Sequence, residues 1–155
     1  MPDALPSDPS HADRRRWMAV LARAGADELS DALDACTGKV KYRVLRGPEA
    51  GLAMVRGRAG GGGAPFNLGE MTVTRCSVRT EAGFVGHAYV AGRSEHAAQL
   101  AALADALLQD PVHQSRMLAD VVEPLAATQQ ARREATAAKA AATRVQFFAM
   151  RNMRA

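Results

Sequence analysis

The chain has 155 residues, 48% of them hydrophobic and 23% charged, which indicates one globular domain and excludes a largely disordered chain. Its net charge of +4 is compatible with anionic ligands but short of the clustered charge of a dedicated nucleic-acid-binding protein. Cys36 and Cys76 have no CxxC or Cys/His spacing, which argues against a zinc or iron–sulfur site in this chain.

The N-terminal segment has the composition of a loose arm. Residues 1–12 contain three prolines and small polar residues, and they are predicted to be disordered. Residues 13–155 are predicted to form a single α+β domain with an extended C-terminal helix. No apolar export segment, membrane span or disulfide framework is apparent, so we expect the protein to be cytoplasmic.

Two short helices are predicted after this N-terminal arm. The first carries apolar residues at helical spacing, namely Trp17, Val20 and Leu21. The second is predicted to begin at the N-cap Asp27 and to end at Gly38.

Strand-like alternation is found next in four segments, at residues 40–46, 51–58, 70–79 and 84–90. Gly47–Pro48 predicts a turn between the first two segments, and the glycine loop Gly60–Gly63 separates the second from the third. Consecutive strands joined by short loops predict an antiparallel meander.

Helices return at the end of the chain. Ser94 is a predicted N-cap, followed by an apolar stripe of Ala97, Leu100, Leu103, Ala104, Leu107 and Leu108. Asp110–Pro111 begins another helix, Pro124 breaks or kinks the helical segment at that point, and an alanine-rich helix runs from about Leu125 towards Phe148. The predicted fold class is α+β, a four-stranded antiparallel β-meander with N-terminal and C-terminal helices packed on it.

The last predicted hairpin can be placed in register. A three-residue loop at residues 81–83, with Gly83 in the left-handed conformation, would bring one polar face together. That face would carry Arg75, Ser77, Arg79, His87 and Tyr89. A two-residue turn would shift the pairing and separate these groups. An ordinary solvated sheet face is the other interpretation.

Two residues on these strands are candidates for proton transfer. His87 could be a general acid or base, and Glu70, just after the glycine loop, could be a base or accept a hydrogen bond from a ribose hydroxyl. A structural histidine and a surface carboxylate are the alternatives. No Ser/His/Asp or Cys/His order indicates a nucleophilic device, so the catalytic residues remain unassigned.

The glycine loop suggests a phosphate site, although it matches neither the P-loop nor the dinucleotide fingerprint. Such a site would be built from backbone N–H groups and arginine side chains. The candidate residues are Arg56, Arg58, Gly61, Gly62, Gly63 and Arg75. The alternative is a flexible loop that becomes ordered against another subunit.

The C-terminal residues have the composition of an interface, with Phe147, Phe148, Met150 and Met153 among arginines. Docking of this segment onto the domain's own sheet is the alternative. We expect an isolated chain to expose apolar surface here and to self-associate.

Five segments resemble, in the same order, one known family. They are RRRWMAVLARA, GLAMVRGRAGGGGAPFNLGEMTVTRCSVR, GHAYVAGR, LAALADALLQ and RVQFFAM. From about Arg14 to Met150 the chain is similar to the G-subunit (PhnG) family of the carbon–phosphorus lyase core complex. Where a Gly-Gly-Thr-Gly pattern is common in that family, this chain has four glycines, which removes a hydroxyl but keeps the backbone N–H groups.

The resemblance implies a role in bacterial phosphonate metabolism. In that family the G, H, I and J subunits form a core complex, and G, H and I act with the ATP-binding L subunit. Together they displace adenine from MgATP with an alkylphosphonate, giving a ribose 1-phosphonate 5-triphosphate. The J subunit later cleaves the carbon–phosphorus bond with an iron–sulfur cluster and S-adenosylmethionine.

The nucleosidase-like chemistry is assigned to the I subunit of that family. The resemblance therefore implies a structural or site-completing subunit with no cofactor of its own, MgATP being a substrate of the complex. The alternative is a direct catalytic contributor, with Arg58 or Arg75 on phosphate and Glu70 or His87 in proton transfer. A nucleic-acid-binding module would bind with strong salt dependence, but neither a recognition helix nor an aromatic stacking motif is apparent. We expect neither a nucleic-acid nor a membrane partner.

Overall fold

The computed structural model describes residues 11–58 and 63–145. Over these ranges an antiparallel three-stranded sheet, in the order β1-β2-β3, packs one face against helices, which confirms the α+β class. The elements in chain order are α1 His11–Leu21, α2 Ala26–Thr37, β1 Tyr42–Gly57, β2 Phe66–Thr80, β3 Val85–Ala91, α3 Glu95–Gln109, α4 Pro111–Met117, a π-turn Leu118–Val122 and α5 Glu123–Ala142.

The first two predicted strands form one strand, β1, so the four-strand prediction is wrong for the described residues. Gly47–Pro48 lies within β1 and does not form a turn. Two of the three register shifts in the pairing with β2 lie beside this dipeptide, between Val44 and Arg46 and between Arg46 and Glu49, each with one extra residue on β1. A bulge accommodates proline because proline has no N–H for the ladder. The buried Cys76 thiol donates to the Arg46 carbonyl (3.3 Å) at this bulge.

The predicted register of the last hairpin is confirmed. Arg75 pairs with Tyr89 and Ser77 with His87. Gly83 has a φ of 95°, a conformation that glycine adopts without a steric penalty. The opposite face is buried and consists of small residues, namely Thr74, Cys76, Val78, Gly86, Ala88 and Val90.

Helix α3 covers this small-residue face at very short range. Ala98, Ala102 and Ala106 of α3 are fully buried. A β carbon built at Gly86 would lie 1.9 Å from the Ala102 carbonyl oxygen and 2.5 Å from the Ala106 nitrogen. The backbones of β3 and α3 are therefore in direct contact, and only glycine fits at this position of β3.

Most helix ends agree with the sequence prediction. Ser94 caps α3, and the Asp110 side chain caps α4 by accepting from the Val112 N–H (2.9 Å). The predicted N-cap of α2 is wrong by two residues, because Gly25 occupies the cap and Asp27 lies in the first turn. Gly38 ends α2 with a φ of 62°, as predicted.

The last helical segment is continuous from Pro111 to Ala142. The irregularity predicted at Pro124 takes the form of the preceding π-turn, in which the Glu123 N–H donates to the Leu118 carbonyl. This wider turn accommodates the proline ring, and the helix continues beyond it.

Several predictions concern segments at the ends of the chain. His11 and Ala12, predicted to belong to the N-terminal arm, form the start of α1, and residues 1–10 lie outside the described ranges. The interface prediction for Phe147 and Phe148 also falls outside them. No helix in the described part of the chain combines the length and apolarity needed to cross a membrane.

The start of α2 gives a pH-dependence prediction. Glu28 accepts from the Gly25 N–H (3.0 Å) and pairs with Arg132, and these contacts lower the pKa of its carboxyl, the Gly25 hydrogen bond contributing most. A lowered native pKa stabilises the fold above the unfolded-state value, and this stabilisation is lost as the pH falls through the native value. Glu28→Ala should therefore lower the free energy of unfolding by about 1 kcal/mol at pH 7 and by less at pH 3, as measured by urea unfolding at both pH values. An equal cost at both pH values would contradict this assignment.

Candidate functional site

The outer face of the sheet carries the five polar residues that the sequence places there. Arg79 lies at the hairpin end, opposite Val85, and its Nε donates to the Gly83 carbonyl (3.3 Å). Arg75, Ser77, His87 and Tyr89 occupy adjacent cross-strand positions of β2 and β3. The Ser77 hydroxyl oxygen lies 2.8 Å from His87 Nδ1. Because alternate residues of a strand point to opposite faces, this polar face is opposite α3.

Arg75 is held on this face by a carboxylate that the sequence analysis did not single out. Glu49 accepts from Arg75 Nη2 (2.9 Å) and from Arg46 Nη2 (2.9 Å). These hydrogen bonds, that of Arg46 first, lower the pKa of the Glu49 carboxyl. The pKa of Arg75 is raised, mainly by Glu49 and then by Tyr89. An anion that binds Arg75 must therefore compete with Glu49 or share the guanidinium with it.

A second residue not singled out from the sequence lies beneath this face. Asp105 of α3 is fully buried and accepts hydrogen bonds from α1, β3 and its own helix. Its donors are Arg14 Nη2 (2.8 Å), Arg14 Nε (3.2 Å), the Trp17 indole (2.9 Å), the His87 backbone N–H (2.9 Å) and the Gln109 amide (3.3 Å). Asp105 therefore fixes the backbone that carries His87 and ties α1 to β3.

The sequence contained a signal for this residue. Asp105 is a carboxylate inside the apolar stripe of α3, and a buried carboxylate needs donors from elsewhere in the fold. The basic start of α1, with Arg14 and the indole of Trp17, offered such donors.

Glu70, the other candidate for proton transfer, lies away from His87. It pairs with Met54 in an unbroken register that runs along β2 from Glu70 to Thr74. Glu70 therefore shares the face of the buried Thr74, whereas Arg75 and His87 are on the opposite face. The two proposed proton-transfer groups do not converge in this chain.

The glycine-loop candidates are at the far end of the sheet. Arg56 Nη2 donates to the Pro65 carbonyl (3.3 Å), which links the two sides of the loop. Arg58 is exposed directly after β1, and Gly63 has a φ of 93°. Gly61 and Gly62 lie outside the described residues.

The end of the sheet that carries these residues forms a β-arm, defined as Leu52–Gly57 of β1 paired with Phe66–Thr72 of β2. β3 begins its pairing with β2 only at Val73, so the β-arm extends beyond the three-stranded part. Five large apolar side chains of the β-arm are exposed: Leu52, Met54, Phe66, Leu68 and Met71.

Other features of the described residues argue against metal binding and against a reactive thiol. They contain no group of three or more His, Cys, Asp and Glu side chains able to hold a metal ion. Both cysteines are buried, and burial raises the pKa of each thiol, which disfavours the reactive thiolate.

A mainly apolar cavity of about 290 Å³ lies between α1 and β3, beside Arg15 and Tyr89. Its lining suits an apolar group better than a phosphate.

Comparison with known proteins agrees with the resemblance of the sequence. The family described as "Phosphonate metabolism protein PhnG" matches residues 12–152. A relative from Rhizobium meliloti (strain 1021) is described as alpha-D-ribose 1-methylphosphonate 5-triphosphate synthase subunit PhnG. It is 48% identical over 143 residues, which are 92% of this chain and 91% of the relative. The chain belongs to the PhnG family.

Proposed function

We propose that this chain is a subunit of a synthase that transfers an alkylphosphonate to the ribose C1 of MgATP and releases adenine. The product is ribose 1-methylphosphonate 5-triphosphate or its homologue for another phosphonate. The proposal rests on the 48% identity to a relative described as a subunit of that synthase. MgATP is a substrate of the complex, and the chain needs no cofactor of its own. Its partners are the H, I and J subunits of the core complex and the ATP-binding L subunit.

Within that complex the chain acts mainly as a structural or site-completing subunit. The observation that carries this assignment is the separation of its candidate groups. His87 and Arg75 occupy the outer face, Glu70 the opposite face, and Arg58 the end of the β-arm. A site that needs these groups around one ligand would have to be completed by another subunit.

Arg58 is the residue best placed to contact a phosphate or phosphonate group from the β-arm. It is exposed, and among the described residues it stands next to the glycine loop. A charge-assisted hydrogen bond to phosphate contributes about 1.5–3 kcal/mol. Arg58→Ala in the assembled complex should therefore raise the KM for MgATP or for the phosphonate about tenfold or more, with kcat changed less than about threefold. Adenine release at varied substrate concentrations measures both constants.

The matched control for this experiment is Arg133→Ala, which removes an exposed arginine from α5, away from the β-arm. It should leave both constants unchanged. A second pair of variants tests Arg75. Glu49→Gln removes the carboxylate charge that competes for Arg75, so if Arg75 binds the anion, Arg75→Ala should raise KM and Glu49→Gln should lower it. An unchanged KM in both Arg58→Ala and Arg75→Ala would remove the phosphate-binding role.

A direct catalytic role is the second candidate, favoured by the hydrogen bond between Ser77 and His87. This contact at Nδ1 fixes the imidazole ring on an exposed face, where Nε2 could exchange a proton with a ligand. His87→Gln and Glu70→Gln test it. A loss of kcat of more than about 100-fold in an intact complex would support catalysis by that residue, whereas turnover within about twofold of wild type would restrict the chain to the site-completing role.

A further inference from the structure

The β-arm, Leu52–Gly57 paired with Phe66–Thr72, differs from the rest of the described surface. Its five exposed apolar side chains include Leu52, which is 66% exposed, and two methionines. Contiguous exposed apolar side chains of this size mark interaction sites. Methionine is common at binding surfaces because its flexible side chain adapts to the partner.

The β-arm also lacks the support that a two-stranded ribbon needs. The Gly92 N–H donates to the Thr72 carbonyl, and within the described residues no third strand pairs with the β-arm beyond this point. An isolated two-stranded ribbon is at best marginally stable in water, and its open edges can pair with another chain. The pairing nevertheless continues from Leu52 to Gly57, with one register shift between Val55 and Arg56, which suits an element that is covered in the functional protein.

Both faces of the β-arm carry exposed apolar side chains, and the helix-side face also carries the exposed Glu70. Leu52 and Met54 pair with Thr72 and Glu70 on the helix-side face, whereas Met71 belongs to the other face. Leu68 lies against the bare backbone of Gly57, 2.5 Å from the position of a β carbon. A flat surface could cover only one of these faces, so the geometry fits a slot that encloses the ribbon. Arg56 and Arg58 at the end of the β-arm would face the bottom of such a slot.

A second copy of this chain is a poor occupant. The cavity between α1 and β3 measures about 290 Å³ and is bordered by Arg15, and another cavity, beside Asp34 and Leu100, measures about 310 Å³. Both have the volume of a small-molecule pocket, too small to enclose a two-stranded ribbon, and the first also has the wrong charge for an end with two arginines. A different subunit can supply an acidic group that pairs with Arg56 and leaves Arg58 for a phosphate group.

We infer that the β-arm inserts into an apolar slot with an acidic group in a non-identical subunit of the synthase. This inference rests on the proposed function, because that function supplies the partner. Insertion would bury the apolar side chains of the β-arm and carry Arg58 into the partner's interior. The chain would thereby complete a phosphate site that it cannot form alone.

The test uses the full chain co-expressed with the other core subunits from the same organism. The double variant Leu52→Glu/Phe66→Glu places two charges on the β-arm, and Met54→Ser/Leu68→Ser is a milder second variant. The matched control is Val112→Glu, at an apolar residue of α4 that is 84% exposed. Affinity purification and light scattering measure assembly, and thermal unfolding checks the fold of each isolated variant.

We expect the wild type and Val112→Glu to assemble, whereas the β-arm variants, with unchanged melting temperatures, bind at least about 100-fold more weakly. Assembly of both β-arm variants at wild-type affinity would overturn the inference and leave the proposed function intact. A wild-type chain that joins no other subunit would overturn the proposed function itself. A dimer of the isolated chain that the β-arm variants dissociate would assign the β-arm to a second copy and overturn the inference.

Discussion

Gly86→Ala should destabilise the protein by about 3 kcal/mol, a large part of the roughly 5–15 kcal/mol that is typical of a domain. The added β carbon would lie 1.9 Å from the Ala102 carbonyl oxygen, 2.5 Å from the Ala106 nitrogen and 2.9 Å from its β carbon. Two of these atoms belong to the backbone of α3, so the overlap can be relieved only by moving that helix away from β3. Urea unfolding followed by circular dichroism measures the loss.

Gly51→Ala is the matched control, because Gly51 is also a strand glycine but has no atom within 4 Å of its β-carbon position. It should change the free energy of unfolding by less than about 1 kcal/mol. Similar values for the two variants would show that the close contact between β3 and α3 does not determine stability.

Asp105→Ala should lower the free energy of unfolding by about 3–5 kcal/mol, because it leaves buried hydrogen-bond donors and an arginine without their acceptor. The guanidinium of Arg14, the indole of Trp17 and the His87 N–H would all lose their acceptor. Trp17 is the only tryptophan of the chain. Its fluorescence should therefore report the loosening of α1 in the same urea titration that measures the free energy of unfolding.

Arg16→Ala is the control for the buried carboxylate. Arg16 lies on the same helix as Arg14 and forms an ion pair with Glu123, but both of these side chains are about half exposed. Exposed ion pairs contribute about 0–1 kcal/mol, so this variant should unfold close to wild type. If Asp105→Ala lowered the free energy of unfolding as little as Arg16→Ala, water would have replaced the lost acceptor, and the carboxylate would not hold α1 in place.

The features that the sequence predicted correctly, such as the hairpin register and the helix caps, depend on residues close to each other in the chain. The hairpin register depends on one loop, in which Gly83 supplies the left-handed residue, so Arg75 and His87 were placed correctly. The helix caps Ser94 and Asp110 were also predictable, since each side chain satisfies a backbone N–H near its own position.

Features that depend on distant partners were not predicted. Gly47–Pro48 has the composition of a turn, and only its pairing with β2 makes it a bulge inside a single strand. Glu49 became part of the site because that bulge carries it opposite Arg75. Asp105 was missed because its donors come from α1 and β3, which no local pattern connects to α3.

The burial of Asp105 also has a consequence for the order in which the chain can fold during its synthesis. Arg14 precedes Asp105 by 91 positions. At roughly 5–20 residues per second, α1 is made about 5–18 seconds before the carboxylate that anchors it. For most of that interval the packing partners of α1, which lie in β3, α3 and α5, have not yet been made. The N-terminal helix is therefore a late-docking element, and a chaperone that shields it early would favour correct folding.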